Sequence, residues 1–347
     1  MNQERDVIRH VPCPRCHLCG DVGKILYQRL KDRLLGAAGE WNLRQCSSPG
    51  CSLIWMDPMP SKEDLWKAYA DYYTHPAERQ DDRAGFLVRL HRAAREGYFS
   101  LHFGYTGPRF QRMLAPLIYA YPGAKLHADY AVAYQPARRP AGTFLEVGFG
   151  RGDILQRMGR LGWDAHGVDV DPKAVLAARE RGLKASLGTL QSVAFPDDKF
   201  DAIALNHVIE HVYEPLDLMA ECRRVLKRGG QLVLTTPNSN GLGHRRFAEN
   251  WLHLDAPRHL HLFNLLTIQD MVRRSGLTVR TLTTSARGAA SSYRASSCIQ
   301  RNGRLMPSQR TGIGNRIRMM GFYLLESVLT DLSRPVGDEI LLIAAKP

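Results

Sequence analysis

Several features are scarce in this chain, and each scarcity narrows what it can do. Although 44% of its 347 residues are hydrophobic, no uninterrupted apolar run approaches the roughly 20 residues that a membrane span requires. The opening MNQERDVIRH carries charge and no apolar core, so no secretory leader is expected and a soluble, cytoplasmic protein is. Low-complexity tracts are missing, as in an ordinary globular composition. Aromatics make up only 8% of the chain and are not interleaved with the arginines of its tail, whereas RNA readers pair arginine with exposed rings for base stacking. Acids are outnumbered as well: 34 Asp and Glu face 47 Lys and Arg, giving a net charge of +13. That balance favours anionic partners such as nucleic acid, phosphorylated metabolites or an acidic membrane surface, without choosing among them. Arg287, Arg294, Arg301, Arg304, Arg310, Arg316, Arg318 and Arg334 stand against only Glu326 and Asp331. The commonest role of such a run is a solvated basic face.

What is present is unevenly placed. Five of the seven cysteines (Cys13, Cys16, Cys19, Cys46 and Cys51) lie in the first 51 residues, and in a cytosolic chain clustering suggests metal rather than disulfides. Cys16-His-Leu-Cys19-Gly20 has the form of a zinc knuckle, in which the glycine permits positive φ and lets backbone N–H groups aim at sulfur. Cys46 and Cys51 supply a second, wider pair. Together Cys16, Cys19, Cys46 and Cys51 are enough for a closed, structural zinc site, with Cys13 as a spare that could replace Cys16. A module ending near Pro60 is too small for a large core, and a metal would add folding energy. Free thiols are the plainer alternative. Cys222 and Cys298 stand alone and read as buried residues.

Residues 61–140 read as a helical connector. SKEDLWKAYADYY places Asp64 three residues after Ser61, a capping-box spacing, and Leu65, Trp66, Tyr69, Tyr72 and Tyr73 recur at helical intervals. The connector is expected to pack on the main domain and help cover its pocket.

From residue 141 to 347, strand and helix signals alternate, which predicts βαβ units around a parallel sheet. TFLEVGFG reads as strand and turn, DILQRMGRLGW as a helix, and AHGVDVD as a second strand. Asp171-Pro172 opens the next helix with an N-cap and a proline at its first position, and Gly182 closes it. LKASLG and FDAIALNHV follow as the third and fourth strands. EPLDLMAECRRVLKRGG reads as a helix closed by two glycines, and QLVLTTPN as the fifth strand.

The ligand is argued from FLEVGFGRGD. Its spacing is G-x-G-x-G (Gly148, Gly150, Gly152) rather than the G-x-G-x-x-G of dinucleotide sites. Glu146 precedes the first glycine by two residues, where it would repel a pyrophosphate and attract an ammonium or a sulfonium. Asp169, at the second strand's end, suits the two hydroxyls of a ribose.

FLEVGFGRGD, GVDVDP, FPDDKFDAIALNHVIEHVYEP and LKRGGQLVLTTPN, in that order, resemble the class I S-adenosylmethionine-dependent methyltransferases. The likeness spans about Ala141 to Asn238 and extends more loosely to the C-terminal GDEILLIAAKP, which looks like the family's final antiparallel strand. The cysteine module followed by MDPMPS resembles bacterial members with an N-terminal zinc-binding region, several of which act on sugars or other small metabolites. The resemblance implies an α/β, Rossmann-like seven-stranded sheet with a small N-terminal zinc-ribbon-like module and a helical connector. It implies that Glu146, Gly148, Gly150 and Gly152 contact the methionine part of S-adenosylmethionine, that Asp169 takes the ribose, and that Gly188-Thr189-Leu190 borders the adenine. Asn206 and His207 would lie beside the methyl group. No Asn/Asp-Pro-Pro-Tyr tetrapeptide follows the fourth strand, which speaks against the amino-methylating nucleic-acid enzymes.

Methyl transfer to a hydroxyl or a carbon acid needs a positioned base, and histidine suits it. His211 is the first candidate, with a brace of the following turn by Glu210 and His211 as the alternative. His207 and His259 are further candidates. In WLHLDAPRHLHLF, Trp251 could stack on a ring, while His253, Asp255, Arg258 and His259 could bind hydroxyls or an anion, Arg258 in bidentate fashion. The alternation of His259 and His261 equally fits a short extended segment.

A methyltransferase acting on oxygen or carbon of a small metabolite, such as a sugar or nucleotide-sugar, is the first expectation. An rRNA or tRNA methyltransferase gripping RNA with its zinc module and basic surface is the second. A non-catalytic cofactor-binding protein is the third. Asn315 to Leu332 is amphipathic, and core or dimer packing is a commoner role for such a helix than membrane contact.

Overall fold

The computed structural model describes residues 7–69, 86–120, 123–137, 142–306, 312–332 and 334–347. Tyr72, Tyr73, Ala141 and Arg310 fall outside these ranges, as does the boundary expected near residue 140.

The N-terminal part is built from short strands: β1 (His10–Val11), β2 (Gly23–Leu30), β3 (Trp41–Cys46), β4 (Ile54–Met56) and β5 (Met59–Pro60). The second part holds helices α1 (Phe86–His102), α2 (Arg109–Leu114) and α3 (Ala124–Ala131). Strands and helices then alternate: β6 (Thr143–Val147), α4 (Asp153–Arg160), β7 (Asp164–Asp169), α5 (Pro172–Glu180), β8 (Lys184–Leu187), α6 (Leu190–Val193) and β9 (Phe200–Asn206). The chain continues with α7 (Pro215–Val225), β10 (Leu226–Pro237), α8 (Leu242–Phe247), β11 (His261–Leu262), α9 (Leu265–Arg274) and β12 (Thr278–Ser285). It ends with α10 (Ala289–Asn302), α11 (Ile313–Asp331) and β13 (Glu339–Ala345).

Seven strands form one sheet in the order β12-β13-β10-β9-β6-β7-β8, in which only β13 runs against the others. This is the mixed, Rossmann-like sheet expected, with its last strand antiparallel. β6 and β9 are neighbours whose following crossovers diverge, and ligands of such sheets bind at the carboxyl ends of the strands there. β6 and β9 are apolar along nearly their whole length because both faces of the sheet are covered. Phe144, Ala202 and Ala204 face Tyr98, Phe99, Ile118 and Val132 of the second part in one core cluster, so the connector covers that side of the sheet.

Local rules hold at α5, where Asp171 accepts a hydrogen bond from the Lys173 N–H at 2.8 Å and Pro172 occupies the first turn. Two local expectations fail. The seventh helix stops at Val225, and Leu226 to Gly230 already belong to β10, whose register with β9 shifts between Leu226 and Gln231. The two glycines therefore sit in a bulge rather than closing a helix. Ser61 does not cap a helix: its Oγ is buried without a partner among the described residues. Asp64 instead accepts from the backbone N–H and Nε of Arg9, at 2.9 and 2.7 Å, and ties the strand pair β1–β5 to a short 3-10 turn at Leu65–Tyr69.

The cysteine-rich part does not stand apart. β11, from far along the chain, pairs with β4 and completes the sheet β11-β4-β3-β2. Arg258 crosses the same seam, donating to both carboxylate oxygens of Asp32 at 2.7 Å and to the Ala68 carbonyl at 2.9 Å. The Met56 N–H donates to the Leu260 carbonyl at 3.0 Å. One buried core runs through both parts.

Candidate active site

At the carboxyl end of β6 the backbone turns on three glycines. Gly148, Gly150 and Gly152 have φ of 66°, 50° and 68°, a region that side chains rarely adopt. A Cβ on Gly148 would meet Val208 Cγ2 at 2.6 Å, whereas one on Gly150 would meet nothing within 4 Å. The turn leaves open space at its middle glycine, where backbone could approach a ligand. The Gly150 N–H donates to Asp169 Oδ2 at 2.8 Å, and the Asp171 N–H donates to Asp169 Oδ1 at 2.9 Å, so the two strand ends are laced together. Burial raises the pKa of Asp169.

Glu146 lies beneath this turn. It is buried, and its Oε2 accepts the Leu155 N–H at 2.8 Å. Burial pushes its pKa up to about 8; the Leu155 N–H and the Asn206 amide oppose the shift, while Asp153 and Asp169 add to it. None of the largest contributions to that shift comes from a cation. The buried Asn206 amide is the polar group that β9 sets beside this carboxyl, and its Nδ2 falls short of a well-formed hydrogen bond among the described residues. A buried carboxyl at a glycine turn, with an amide donor beside it, fits the charged amino-acid end of a ligand. Leu190 differs: its side chain belongs to the core, so only its backbone, at the N-terminus of α6, remains for an adenine. Thr189 and Ser192 form a capping box there.

The end of β9 is occupied by charge already paired. The His207 imidazole sits between two buried carboxylates, with Nδ1 at 3.2 Å from Glu210 Oε1 and Nε2 at 2.8 Å from Glu339 Oε1. Burial works against its charge, but hydrogen bonds to Glu210 and Glu339 outweigh it and raise its pKa to about 10. Glu210 and Glu339 are drawn the other way, to about 2, despite their burial, Glu210 chiefly by His207 and Glu339 by Arg287 and His207. A ring held in its charged form by two carboxylates is poorly disposed to accept a further proton, which weighs against His207 as the base. Glu339 is also held by Arg287, whose Nε donates to Oε2 at 3.0 Å. Arg287 lies 3.6 Å over the Tyr130 ring, so this member of the basic run is not a solvated charge.

His211 and His259 meet beside Glu210. Their rings are 4.6 Å apart in a T-shaped arrangement. His211 Nδ1 lies 3.0 Å from both the Arg258 carbonyl and the Tyr69 hydroxyl. His259 Nδ1 lies 2.7 Å from the His253 carbonyl. A carbonyl only accepts, so each neutral ring carries its proton on Nδ1 and its lone pair on Nε2. Burial, reinforced by His211, lowers the pKa of His259 to about 4. It is thus neutral and a weaker base than an exposed histidine. His211 remains the better-placed base.

The segment 251–263 is more internal than its composition suggests. Trp251 is buried, stacks on His244 at 4.8 Å and donates from Nε1 to Asp338 Oδ1 at 3.2 Å, so it offers no free platform. Arg258, fully buried between Asp32 and Asp255, has no fork left for a phosphate. His253 Nε2 lies 3.1 Å from Asp338 Oδ2, and its ring stacks between His207 and His259. His261 is buried in the short strand β11.

Among the cysteines, one ligand atom from each of Cys16, Cys19, Cys46 and Cys51 lies within 4.8 Å of the others. Cys16 and Cys51 sulfurs are 3.6 Å apart, and those of Cys19 and Cys46 are 3.4 Å apart. Zinc with Zn–S near 2.3 Å sets tetrahedral sulfurs about 3.8 Å apart, so the donor set fits. Cys13 is not in the group; its Sγ faces His17 Nε2 at 2.8 Å.

Reading the sequence did not single out Tyr130, Tyr134 or Glu339, and it placed Arg287 only in a basic run. Tyr130 and Tyr134, in and just after α3, titrate above their usual range because they are buried beside this network. No local motif marks them, since their neighbours come from three distant stretches.

Residues 120–282 match the family model described as "Methyltransferase domain". A relative in Cereibacter sphaeroides, "Ubiquinone biosynthesis O-methyltransferase", is 30% identical over 148 residues, 38% of this chain and 59% of that protein. A protein of the same description in Xanthomonas oryzae pv. oryzae is 36% identical over 101 residues, 27% of this chain and 42% of that one. The chain thus spans between 42% and 59% of the length of these curated relatives. Among solved structures, geranyl diphosphate methyltransferase in complex with SAM is similar at TM-score 0.45 and 14% identity, over 71% of this chain and 94% of that one. The matched stretch of 120–282 is a little under half of the chain and spans β6 to β10 of the seven-stranded sheet.

Proposed function

We propose that this protein is an S-adenosylmethionine-dependent methyltransferase acting on an oxygen or carbon atom of a small metabolite, with a sugar or nucleotide-sugar as one candidate acceptor. The observation that carries the reading is Glu146: a buried carboxyl, raised to about 8 chiefly by burial, at a glycine turn. Glu146, Asn206 and the Gly148–Gly152 turn would hold the amino-acid end of the cofactor, and Asp169 its ribose. When bound, the cofactor supplies an electrophilic methyl on a sulfonium. The chain's own task is then to orient the acceptor and take its proton. His211 is suited to that, because its Nδ1 is tied to a carbonyl and its Nε2 lone pair is left available. The O-methyltransferase names of the relatives support an oxygen acceptor.

We further infer a structural zinc in the four-cysteine site, where four sulfurs leave no position for water. Calorimetry with S-adenosylmethionine tests the cofactor, and transfer of its labelled methyl group into fractionated cell extract tests the acceptor. Micromolar binding and label in the small-molecule pool are expected. No binding at millimolar ligand, or label confined to RNA, would overturn the reading.

A further inference from the structure

We propose that the outer face of α11 docks this protein onto an anionic phospholipid surface, with the helix lying along the membrane plane. α10 and α11 are inserted between β12 and β13, beyond the residues 120–282 that match the family model. Along α11, Ile313, Ile317, Met320, Leu324 and Val328 recur every three or four residues, and Leu332 continues the series just past the helix. All six are exposed, Ile313 to 78%, Ile317 to 66% and Leu332 to 68%. A helix with that side in water would carry polar residues there. A continuous apolar stripe of this kind marks an interaction surface.

The inner face is the more polar of the two. Phe322 packs on Tyr293 with ring centroids 5.0 Å apart, but Asn315, Glu326, Ser327 and Thr330 turn inward as well. Each of these four has a buried polar atom without a hydrogen-bond partner among the described residues. Glu326 Oε1 accepts the Asp338 N–H at 2.6 Å, which fixes the rotation of α11 about its axis and keeps the stripe outward. Polar groups inside and large apolar groups outside reverse the order that folding in water selects. The arrangement suits a helix whose outer side meets an apolar medium.

Charge chooses the occupant. At 3.6 residues per turn, Arg316 and Arg318 fall on opposite borders of the stripe, and both are exposed. Arg294 and Arg301 of α10 and Arg304 after it are exposed too. Residues 289–332 contain only two acids, Glu326 and Asp331, and Glu326 is buried. In a symmetric pair of copies the same patch meets itself, which would bring these cations together with little to offset them. Anionic headgroups would neutralise the arginines while the acyl boundary takes the stripe. No described helix is long and apolar enough to cross a membrane, so α11 would lie in the interface. β12 ends and β13 begins at the carboxyl side of the sheet, where Glu339 holds His207. Docking would therefore set the candidate active site beside the lipid surface, whichever acceptor is methylated.

Cosedimentation of the full chain with vesicles tests the proposal. Vesicles of equimolar phosphatidylglycerol and phosphatidylcholine should bind about tenfold or more tightly than phosphatidylcholine alone. Leu324→Glu should weaken binding about tenfold or more, and so should Arg316→Gln combined with Arg318→Gln. Urea unfolding checks that these exposed substitutions leave the fold intact. In Leu324→Trp, fluorescence added over the wild type should shift to the blue on the mixed vesicles and be quenched by brominated acyl chains. That signal reads insertion directly, without relying on a loss. Absence of binding, no preference for the anionic vesicles, or binding indifferent to Leu324→Glu overturns the proposal. So does a lipid-free dimer that Leu324→Glu dissociates. Calorimetry with S-adenosylmethionine on lipid-free protein reads the cofactor independently, so docking and methyl transfer can fail separately.

Discussion

Two buried glutamates stand at the carboxyl ends of neighbouring strands and behave in opposite ways. Glu146, at the end of β6, is held near 8 and is mostly protonated at neutral pH. Glu210, just past β9, is held near 2 and is ionised. Both are buried, so burial does not account for the difference. The partner does: Glu210 has the His207 imidazolium at 3.2 Å, whereas the charges acting on Glu146 are the further carboxylates of Asp153 and Asp169. One strand end has its cation supplied by the chain. The other has a carboxyl that a cationic ligand would convert to a carboxylate. This contrast separates the part of the site that is finished on folding from the part that binding would complete.

The strongest way to break the contrast is to take the cation away from β9. His207→Ala leaves Glu210 with the Thr236 hydroxyl, while Glu339 keeps Arg287. Removing one partner of a buried pair costs about 3–5 kcal/mol, and the partial exposure of His207 reduces this to about 2–4 kcal/mol. The loss should be larger at pH 7.5 than at pH 9, because the raised pKa of His207 contributes its stability in full below about 6.5 and loses it as pH rises toward 10. Urea unfolding at the two pH values measures it. A loss below about 1 kcal/mol at both would mean that His207 does not set the state of Glu210.

How far this site could be read in advance follows the distance along the chain between its parts. Glu146, the three glycines, Asp169 and the Asp171 cap lie within 26 residues of one another, and strand–turn–helix patterns are local. The four cysteines were legible because thiolate spacing is itself a signal. Arg258 could be read as a bidentate anion ligand because nothing near it announces Asp32 from the opposite end of the chain. His207 looked like a base until Glu339, contributed by the last strand, closed the other side of its ring. The sharing of a sheet between β4 and β11 rests on two paired residues that carry no strand pattern of their own. Strongly periodic elements declare themselves; pair partners chosen by tertiary packing do not.

The milder ways to sharpen the contrast act on β6. Glu146→Gln replaces a carboxyl that is largely neutral in the free protein, so stability at pH 7 should change by less than about 1 kcal/mol. Affinity for S-adenosylmethionine should nevertheless fall roughly 10- to 100-fold, since a hydrogen bond to a charged group contributes about 1.5–3 kcal/mol. Calorimetry and urea unfolding on the same preparation give both numbers, and unchanged affinity would remove Glu146 from the binding site.

The smallest effect is the pH dependence of that affinity, and its sign is fixed by the raised carboxyl. Below about 8 the free protein holds a proton on Glu146, and a cationic ligand must expel it. Each unit of acidification then costs up to about 1.36 kcal/mol, a tenfold loss in affinity. Binding should therefore tighten from pH 6 to pH 7.5, with release of up to one proton measurable in buffers of different ionisation enthalpy. The rise should level near pH 8, where the ligand's own α-amino group, with a pKa of about 7.7–8.0, begins to lose its charge. Glu146→Gln has no proton to expel, so its affinity should stay flat across the acid limb. A wild-type profile equally flat between pH 6 and 7.5 would mean that Glu146 is already ionised before the ligand arrives, and the two strand ends would no longer differ in kind.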